Sequence, residues 1–363
     1  MLTHPRLQLL VLCALALAAA CRQPPPPVAV TPPKPLMPER AKPVAQPLVA
    51  APQPAVLAQA VPAAPSPLAE RTWQVLLPWG KGPLQVGRSA PQEGNPEAPS
   101  SFALDTSGQI WILDQLNQRV VVLKVAADGL PQQAREPISV SATAQDLAVT
   151  ADGQTLFVVD RLVARQLDVL ALQEPFAHRI VSLRPDSLPN SAGITAIFAR
   201  PDGVWLEYEH ADLRRVATLD GVHADPLTLH GRPNADGNVL ISAQKVPPAQ
   251  VLVSWHAAKG EAKSAALASA TVQFSPPVLA IAGLDATPAG GVWLTVDLAP
   301  DATKGASRVA VLLDAAGHEV QRAELLVPDG PQEQLRTTTV GADGAFYSMA
   351  RSAEGLHIER WAR

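Results

Sequence analysis

A glycine-containing turn between two runs of apolar residues recurs along most of this chain. The first copy runs from Phe102 to Leu123 and has its turn at Gly108. The corresponding turns lie, at spacings of 45, 50, 34, 54 and 53 residues, at Gly153, Gly203, Gly237, Gly291 and Gly344. Asp-Gly between apolar runs is typical of a β-hairpin, because both central residues of its tight turn can take φ > 0. The repeat predicts a succession of small antiparallel sheets.

Large aromatic residues follow five of these turns within two to four positions: Trp111, Phe157, Trp205, Trp293 and Phe346. We expect each of them on the second strand of its sheet, packed between neighbouring sheets. Units of about 40–50 residues with short strands and no helical period are typical of a β-propeller. The pattern of residues 71–363 therefore predicts an all-β fold, a β-propeller of six blades, with seven blades as the alternative.

The two ends of this region predict how the ring closes. The last copy ends with Gly355 to Trp361, which has the pattern of a third strand and leaves no residues for a fourth. The segment from Thr72 to Leu77 precedes the first full copy and has the pattern of a strand. We expect it to supply the outer strand of the last copy, which would join the two ends of the ring and protect its edges.

The first copy resembles an NHL repeat, a unit with Asp-x-x-Gly, an aromatic strand ending in Asp, and then Asn-x-Arg-Val. The residues that match this form in order are Asp105, Gly108, Trp111, Asp114, Asn117, Arg119 and Val120. The other five copies keep the glycine and the strands but lack the Asn-x-Arg element. The resemblance describes one blade closely and the remainder loosely.

Propellers of this kind include calcium-dependent lactonases and arylesterases, a zinc-dependent lyase, and binding proteins without catalytic activity. The resemblance implies that such an enzyme would hold its metal in the central channel, on carboxylates or histidines of several innermost strands. Asp146 and Asp285 occupy similar places before their glycine turns and are the candidate ligands, whereas Asp105 is the NHL turn residue. We favour local hydrogen bonding of both aspartates at strand ends over a metal site, and predict no cofactor.

Other polar residues also have two interpretations. Glu207 and Glu209 flank Tyr208 on a predicted strand, which places both carboxylates on one face. We interpret that face as solvated, with a cation site as the alternative. Four histidines lack the spacing of a metal motif and are interpreted as surface residues: His210, His223, His230 and His256.

Charge and motifs exclude several classes of function. The whole chain has a net charge of −4, because residues 71–363 contribute −7 and residues 1–70 contribute +3. An acidic domain repels phosphate backbones, so the sequence argues against nucleic-acid binding. It contains no G-x-S-x-G, Walker or dinucleotide motif, and no catalytic residue is predicted.

The first residues have the pattern of an export signal. Arg6 precedes the apolar stretch Leu7 to Ala20, which is too short to span a bilayer comfortably, and Cys21 follows three alanines. This resembles the lipobox of bacterial lipoproteins, although Ala18 stands where leucine is usual. The resemblance implies signal-peptide removal after residue 20 and a lipid anchor on Cys21, with ordinary cleavage as the alternative. Arg22, in place of the aspartate that favours the inner membrane, implies the outer membrane, facing the periplasm.

A proline-rich segment separates Cys21 from the repeats. Residues 22–68 contain 15 of the 37 prolines, which remove backbone N–H donors and restrict their neighbours. We expect residues 21–70 to be a disordered tether of polyproline II character, reaching roughly 145 Å if fully extended.

Taken together, these features predict a membrane-anchored extracytoplasmic propeller that binds a protein or an envelope polymer and acts as a scaffold. The alternative is a metal-dependent lactonase-like or lyase-like enzyme. The predicted partners are the membrane, through the lipid at Cys21, and a protein or polymer of the cell envelope.

Overall fold

The computed structural model describes residues 67–89, 97–163, 166–173, 193–208, 212–220, 227–234, 236–258, 266–301, 305–329 and 335–362. The expected signal peptide, Cys21 and nearly all of the tether lie outside these ranges, so their predictions stay predictions. No helix within these ranges is long and apolar enough to cross a membrane.

The strands lie in six antiparallel sheets, named A to F here in chain order. Sheet A holds β2 (Phe102–Leu104), β3 (Ile110–Asp114), β4 (Arg119–Val125), β5 (Pro131–Gln133) and β6 (Ile138–Ser139). Sheet B holds β7 (Ala144–Val149), β8 (Thr155–Val163) and β9 (Gln166–Gln173), and sheet C holds β10 (Ile194–Arg200), β11 (Gly203–Tyr208), β12 (Asp212–Ala217) and β13 (Thr228–His230).

The remaining strands complete the second half of the ring. Sheet D holds β14 (Arg232–Pro233), β15 (Val239–Val246), β16 (Gln250–Ala257) and β17 (Ala268–Gln273). Sheet E holds β18 (Val278–Ala286), β19 (Val292–Asp301), β20 (Gly305–Leu313) and β21 (Glu319–Leu325). Sheet F holds β22 (Thr338–Val340), β23 (Phe346–Arg351), β24 (Gly355–Trp361) and β1 (Arg71–Pro78).

The sheets follow one another around a ring. In sheets A to E the first strand in the chain is innermost, and in sheet F the innermost strand is β22. Strands pair in chain order from the centre outwards, except that β6 pairs with β4 and β1 pairs with β24. β2 contacts both β7 of the next sheet and β22 of the last, and β18 likewise contacts both β14 and β22. Small antiparallel sheets arranged radially in this way make up a β-propeller, so the predicted all-β propeller fold is confirmed.

Sheet F is completed by the first strand of the domain. β1 pairs antiparallel with β24 from Arg71 opposite Trp361 to Pro78 opposite Gly355. The predicted closure is therefore confirmed, and residues more than 270 positions apart share one sheet. The Arg71 guanidinium also donates to the Glu359 carboxylate at 2.6 Å, which adds a polar contact to the ladder.

The predicted aromatic positions are confirmed as well. The five side chains lie on the second strands of their sheets and are fully buried: Trp111, Phe157, Trp205, Trp293 and Phe346. Trp293 of sheet E stacks on Phe346 of sheet F with ring centroids 4.6 Å apart. Such stacked aromatic pairs bury large apolar areas, so they hold adjacent sheets together.

The geometry of the turns differs from the prediction. At Gly108 only the glycine has positive φ, 79°, and its N–H donates to the Asp105 carbonyl at 3.1 Å. This is a type I turn followed by a left-handed glycine, not a two-residue turn with two left-handed residues. In the fifth copy the left-handed glycine is Gly290, with φ 82°, so the prediction of Gly291 was wrong by one residue.

The NHL-like residues of sheet A hold the chain that follows β1. The Asp114 carboxylate accepts from the Arg119 guanidinium at 2.9 Å and from the Gly87 N–H at 2.8 Å. Arg119 also donates to the carbonyls of Gly82 and Gln85. The element thus fixes the connection between the closing strand and the first full sheet. Asp105 accepts from the Trp111 indole at 3.0 Å and from turn amides, which is the turn role predicted for it.

Closure by β1 leads to a test with a matched control on the same strand. Leu77 is fully buried, whereas its neighbour Leu76 is 38% exposed. We expect Leu77→Ala to lower the free energy of unfolding by about 2–5 kcal/mol, because it leaves a cavity in the core. Leu76→Ala should cost less than about 1 kcal/mol. Urea unfolding followed by tryptophan fluorescence measures both, and equal losses would contradict a core role for β1.

Candidate functional site: the central channel

Among the described residues, polar and charged side chains on or beside neighbouring sheets meet around the centre of the ring. We name this set the channel belt: Ser101, Asp146, Glu207, Arg232, Asp285, Arg336 and Thr338. Both aspartates that the sequence singled out belong to it. A group of the belt that holds two sheets together is not free to bind a ligand or to transfer a proton.

Asp146 on β7 joins three sheets. Its side chain accepts hydrogen bonds from the Ser101 hydroxyl of sheet A and from the Ile197 N–H of sheet C, the latter at 2.7 Å. The Leu147 N–H donates to it at 2.8 Å. Only 1% of Asp146 is exposed, so this carboxyl acts as an interior bridge and not as a group that faces solvent.

Burial raises the pKa of Asp146 above 3.8, although the charge of Arg336, the Ser101 hydroxyl and the two amides act in the opposite direction. A carboxyl whose pKa is higher in the folded state than in the unfolded state binds its proton more tightly when folded. Its contribution to stability is therefore full below pH 3.8 and is lost as the pH rises through the folded-state pKa.

Glu207 and Arg232 form the charged centre of the belt. Arg232 of β14 donates to both carboxylate oxygens of Glu207 on β11, at 2.5 and 2.9 Å, and to the Leu284 carbonyl of sheet E at 2.6 Å. The Thr195 hydroxyl donates to the same carboxylate at 3.1 Å. The solvated face expected for Glu207 was wrong, because only 1% of Glu207 is exposed. A two-pronged arginine–carboxylate pair of this kind fixes both distance and orientation between sheets.

The protonation of Arg232 follows from its neighbours. Burial by itself lowers the pKa of Arg232, but the charge and hydrogen bonds of Glu207, together with the charges of Asp285 and Asp146, raise the pKa above its ordinary value. The guanidinium therefore stays charged, and the pair stays an ion pair.

Asp285 continues the belt from sheet E to sheet F. The Thr338 hydroxyl donates to one of its oxygens at 2.6 Å, and the other lies 3.6 Å from an Arg232 nitrogen. The side chain is 12% exposed, which makes it the more accessible of the two candidate aspartates.

Arg336, just before β22, reaches across to sheet C. Its guanidinium donates to the Ile197 carbonyl and lies 4.4 Å from the ring centroid of Phe198. Its backbone N–H donates to the Ser100 carbonyl of sheet A at 3.2 Å. One residue thus ties three sheets together through the centre of the ring.

Two cavities adjoin the belt, and Arg232 and Leu284 line both. The larger, of about 340 Å³, lies towards the start of the innermost strands and is also lined by Lys245, Leu279 and Leu335. The smaller, of about 210 Å³, lies towards their ends and is lined by Phe198, Arg200, Asn234 and Asp285 among others.

The acidic groups of the belt are all occupied by donors on neighbouring sheets. Among the residues that the structure describes, no three or more His, Cys, Asp or Glu side chains are grouped as a metal ion would need. Asp146 and Asp285 each bond to a different neighbour, the Ile197 N–H and the Thr338 hydroxyl. The arrangement is suited to locking sheets together.

The predicted histidine and glutamate sites have different outcomes. His230 is an exposed residue that bonds to Asp212 at 2.8 Å, as its surface interpretation implies. His256 is half-buried, with Nε2 3.4 Å from the Ser242 hydroxyl. His210, His223 and Glu209 lie outside the described residues.

Sequence reasoning missed the two arginines of the belt. Arg232 follows a glycine at the start of a two-residue strand, and Arg336 precedes a three-residue strand. Neither position carries a motif. The available signal was Glu207 itself, a charged residue directly after the apolar run Val204 to Leu206, which requires a partner once that run is buried.

The Glu207–Arg232 pair leads to a second prediction. Glu207→Leu or Arg232→Met should lower the free energy of unfolding by about 3–5 kcal/mol, because each leaves a buried charge without its partner. The double variant Glu207→Leu with Arg232→Met should recover much of this loss. Asp343→Asn, in the partly exposed Arg360–Asp343 pair, is the control and should cost no more than about 1 kcal/mol. Additive losses in a urea-unfolding double-mutant cycle would contradict the coupling.

The chain has distant similarities to known proteins. No protein-family model matches the sequence, and no curated protein matches it. The WD40 repeats of RRP9 are one similar solved structure, with 10% identity, a TM-score of 0.48, and coverage of 82% of this chain and 99% of that one. A streptogramin B lyase structure is another, with 12% identity, a TM-score of 0.44, and coverage of 80% and 98%. Similarities at this level carry no information about what the chain binds.

Proposed function

We propose that this chain is a lipid-anchored extracytoplasmic β-propeller that binds a protein or an envelope polymer and acts as a scaffold. In this proposal the six sheets are six blades of one ring, and the anchor at Cys21 and the proline-rich tether hold the ring at a distance from the outer membrane. The anchor and the location rest on the sequence of residues 1–70.

The channel carboxylates already form hydrogen bonds between sheets, and this observation supports a binding function. Asp146 accepts three donors, Glu207 is held by Arg232 and Thr195, and Asp285 is held by Thr338. A channel enzyme needs such groups free to coordinate a metal or to transfer protons. Because the channel carboxylates hold the sheets together, we assign recognition to the loops at the two ends of the ring, which form a rigid surface.

The alternative is a metal-dependent lactonase-like or lyase-like enzyme that uses Asp146 and Asp285. It requires both side chains to exchange their present hydrogen bonds for a metal ion. Asp285, the more exposed of the two, lies at the smaller cavity and is the residue on which this alternative depends.

The anchor is tested by fractionating cells that produce the wild-type chain or Cys21→Ala. We expect the wild type in the membrane fraction and Cys21→Ala in the soluble fraction, because removal of the thiol removes the site of lipid attachment. Cys13→Ala, the other cysteine, is the matched control and should remain with the membrane. A Cys21→Ala chain that stays membrane-bound would overturn the anchor.

The binding function is tested by cross-linking in intact envelopes followed by purification of the chain. We expect the same partner in repeated purifications, at a level well above that with an unrelated lipoprotein. Metal analysis of the purified chain accompanies it. Repeated recovery of no partner, together with one calcium or zinc ion per chain that is lost in Asp285→Asn, would favour the enzyme instead.

A further inference from the structure

Arg351, the last residue of β23, is a buried charge with 3% of its surface exposed. Within the described ranges its guanidinium makes one hydrogen bond, from Nε to the Pro99 carbonyl just before sheet A at 3.0 Å, and no ion pair. Taking an arginine out of water costs several kcal/mol unless an opposite charge compensates it. Within the described residues the two terminal nitrogens of Arg351 have no hydrogen-bond partner, so a negatively charged group would compensate this charge.

A second arginine is held beside the first. The Arg88 guanidinium donates to the Ser352 carbonyl, the residue after Arg351, at 2.9 Å. It also lies 5.3 Å from the ring centroid of Trp79, whose indole N–H donates to the carbonyls of Ser352 and Ala353. The side chain of Arg88 is 25% exposed, so this arginine provides the contact with solvent that Arg351 lacks.

The charges around the two arginines do not balance. The single acidic contact within the described part of the chain is Asp329, 3.8 Å from Arg88 and itself 53% exposed. Burial, reinforced by the positive charge of Arg88, lowers the pKa of Arg351 to about 10, so that the guanidinium is still charged at neutral pH. Two neighbouring cations with one distant carboxylate leave a net positive site on an acidic domain.

The surroundings hold this site in place before any ligand arrives. The Gly87 N–H bonds to Asp114 of sheet A, which fixes the chain next to Arg88. The Asp329 N–H donates to the Arg351 carbonyl at 3.0 Å, and the Ser352 hydroxyl contacts His357 at 2.9 Å. Fixed donors lose little entropy on binding, which favours affinity.

We propose that Arg88 and Arg351 form a binding site for an oxyanion, a carboxylate or phosphate group, at the seam between sheets F and A. The planar guanidinium of arginine matches both groups with paired N–H donors. This inference deepens the proposed binding function and rests on it only for the identity of the molecule that carries the group. The oxyanion itself can be tested without knowing that molecule.

The test measures the thermal unfolding midpoint of the purified full chain in sodium phosphate, sodium acetate or sodium chloride at equal ionic strength. We expect phosphate, acetate or both to raise the midpoint by about 2–5 °C over chloride, because binding to the folded state stabilises it. Arg88→Gln and Arg351→Met should abolish this rise. Lys124→Gln, which removes an exposed positive charge from β4, is the matched control and should keep it.

Arg351→Met also separates a binding role from a structural one. If the charge awaits a ligand, its removal should leave the midpoint in chloride unchanged or higher, since an uncompensated buried charge is lost. If Arg351→Met fails to fold, Arg88→Gln alone decides the response to oxyanions. A wild type that responds to neither oxyanion, or variants that respond as it does, would overturn the site. Recovery of a partner in the envelope experiment would then leave the binding function standing without it.

Discussion

Hydrophobic clusters of the described residues join sheet A to B, B to C, D to E, E to F and F to A, so the whole structure depends on closing the ring. A lone sheet of three or four short strands has no core of its own and would expose apolar surface on both faces. The pairing of β1 with β24 joins the two ends of the ring, and the stacking of Trp293 on Phe346 shows how one sheet completes the core of the next. Stability is therefore a property of the ring and not of any single repeat.

Closing the ring creates a second requirement at its centre. The innermost strands converge there, and the polar groups that lose water find only some of their partners within their own sheet. The belt meets this requirement through bonds between sheets: Asp146 to Ser101 and Ile197, and Glu207 to Arg232. Such bonds are directional, so they also set how neighbouring sheets are oriented. Asp146 and Glu207, whose carboxylates suggest a reactive centre in the sequence, form hydrogen bonds between sheets in the structure.

Arg351 behaves differently from the belt. Arg232 is buried with a carboxylate that holds both sides of its guanidinium, whereas Arg351 is buried with a backbone carbonyl and a second arginine. A group that costs stability without satisfying a neighbour is often maintained for binding. The contrast between these two arginines, in the same ring, is the reason to place recognition at the seam of sheets F and A and not in the channel.

The sequence by itself determined the repeat, the buried second-strand aromatics, the propeller and its closure by β1, because hydrophobic alternation and turn residues are local patterns that repeat in register. It also predicted the turn role of Asp105, which depends on residues within six positions. Only the tertiary structure decided the partners of Asp146, Glu207 and Arg351. Those partners lie 45, 25 and 252 residues away in the chain, on other sheets, and no local pattern specifies which side chains the closed ring brings together.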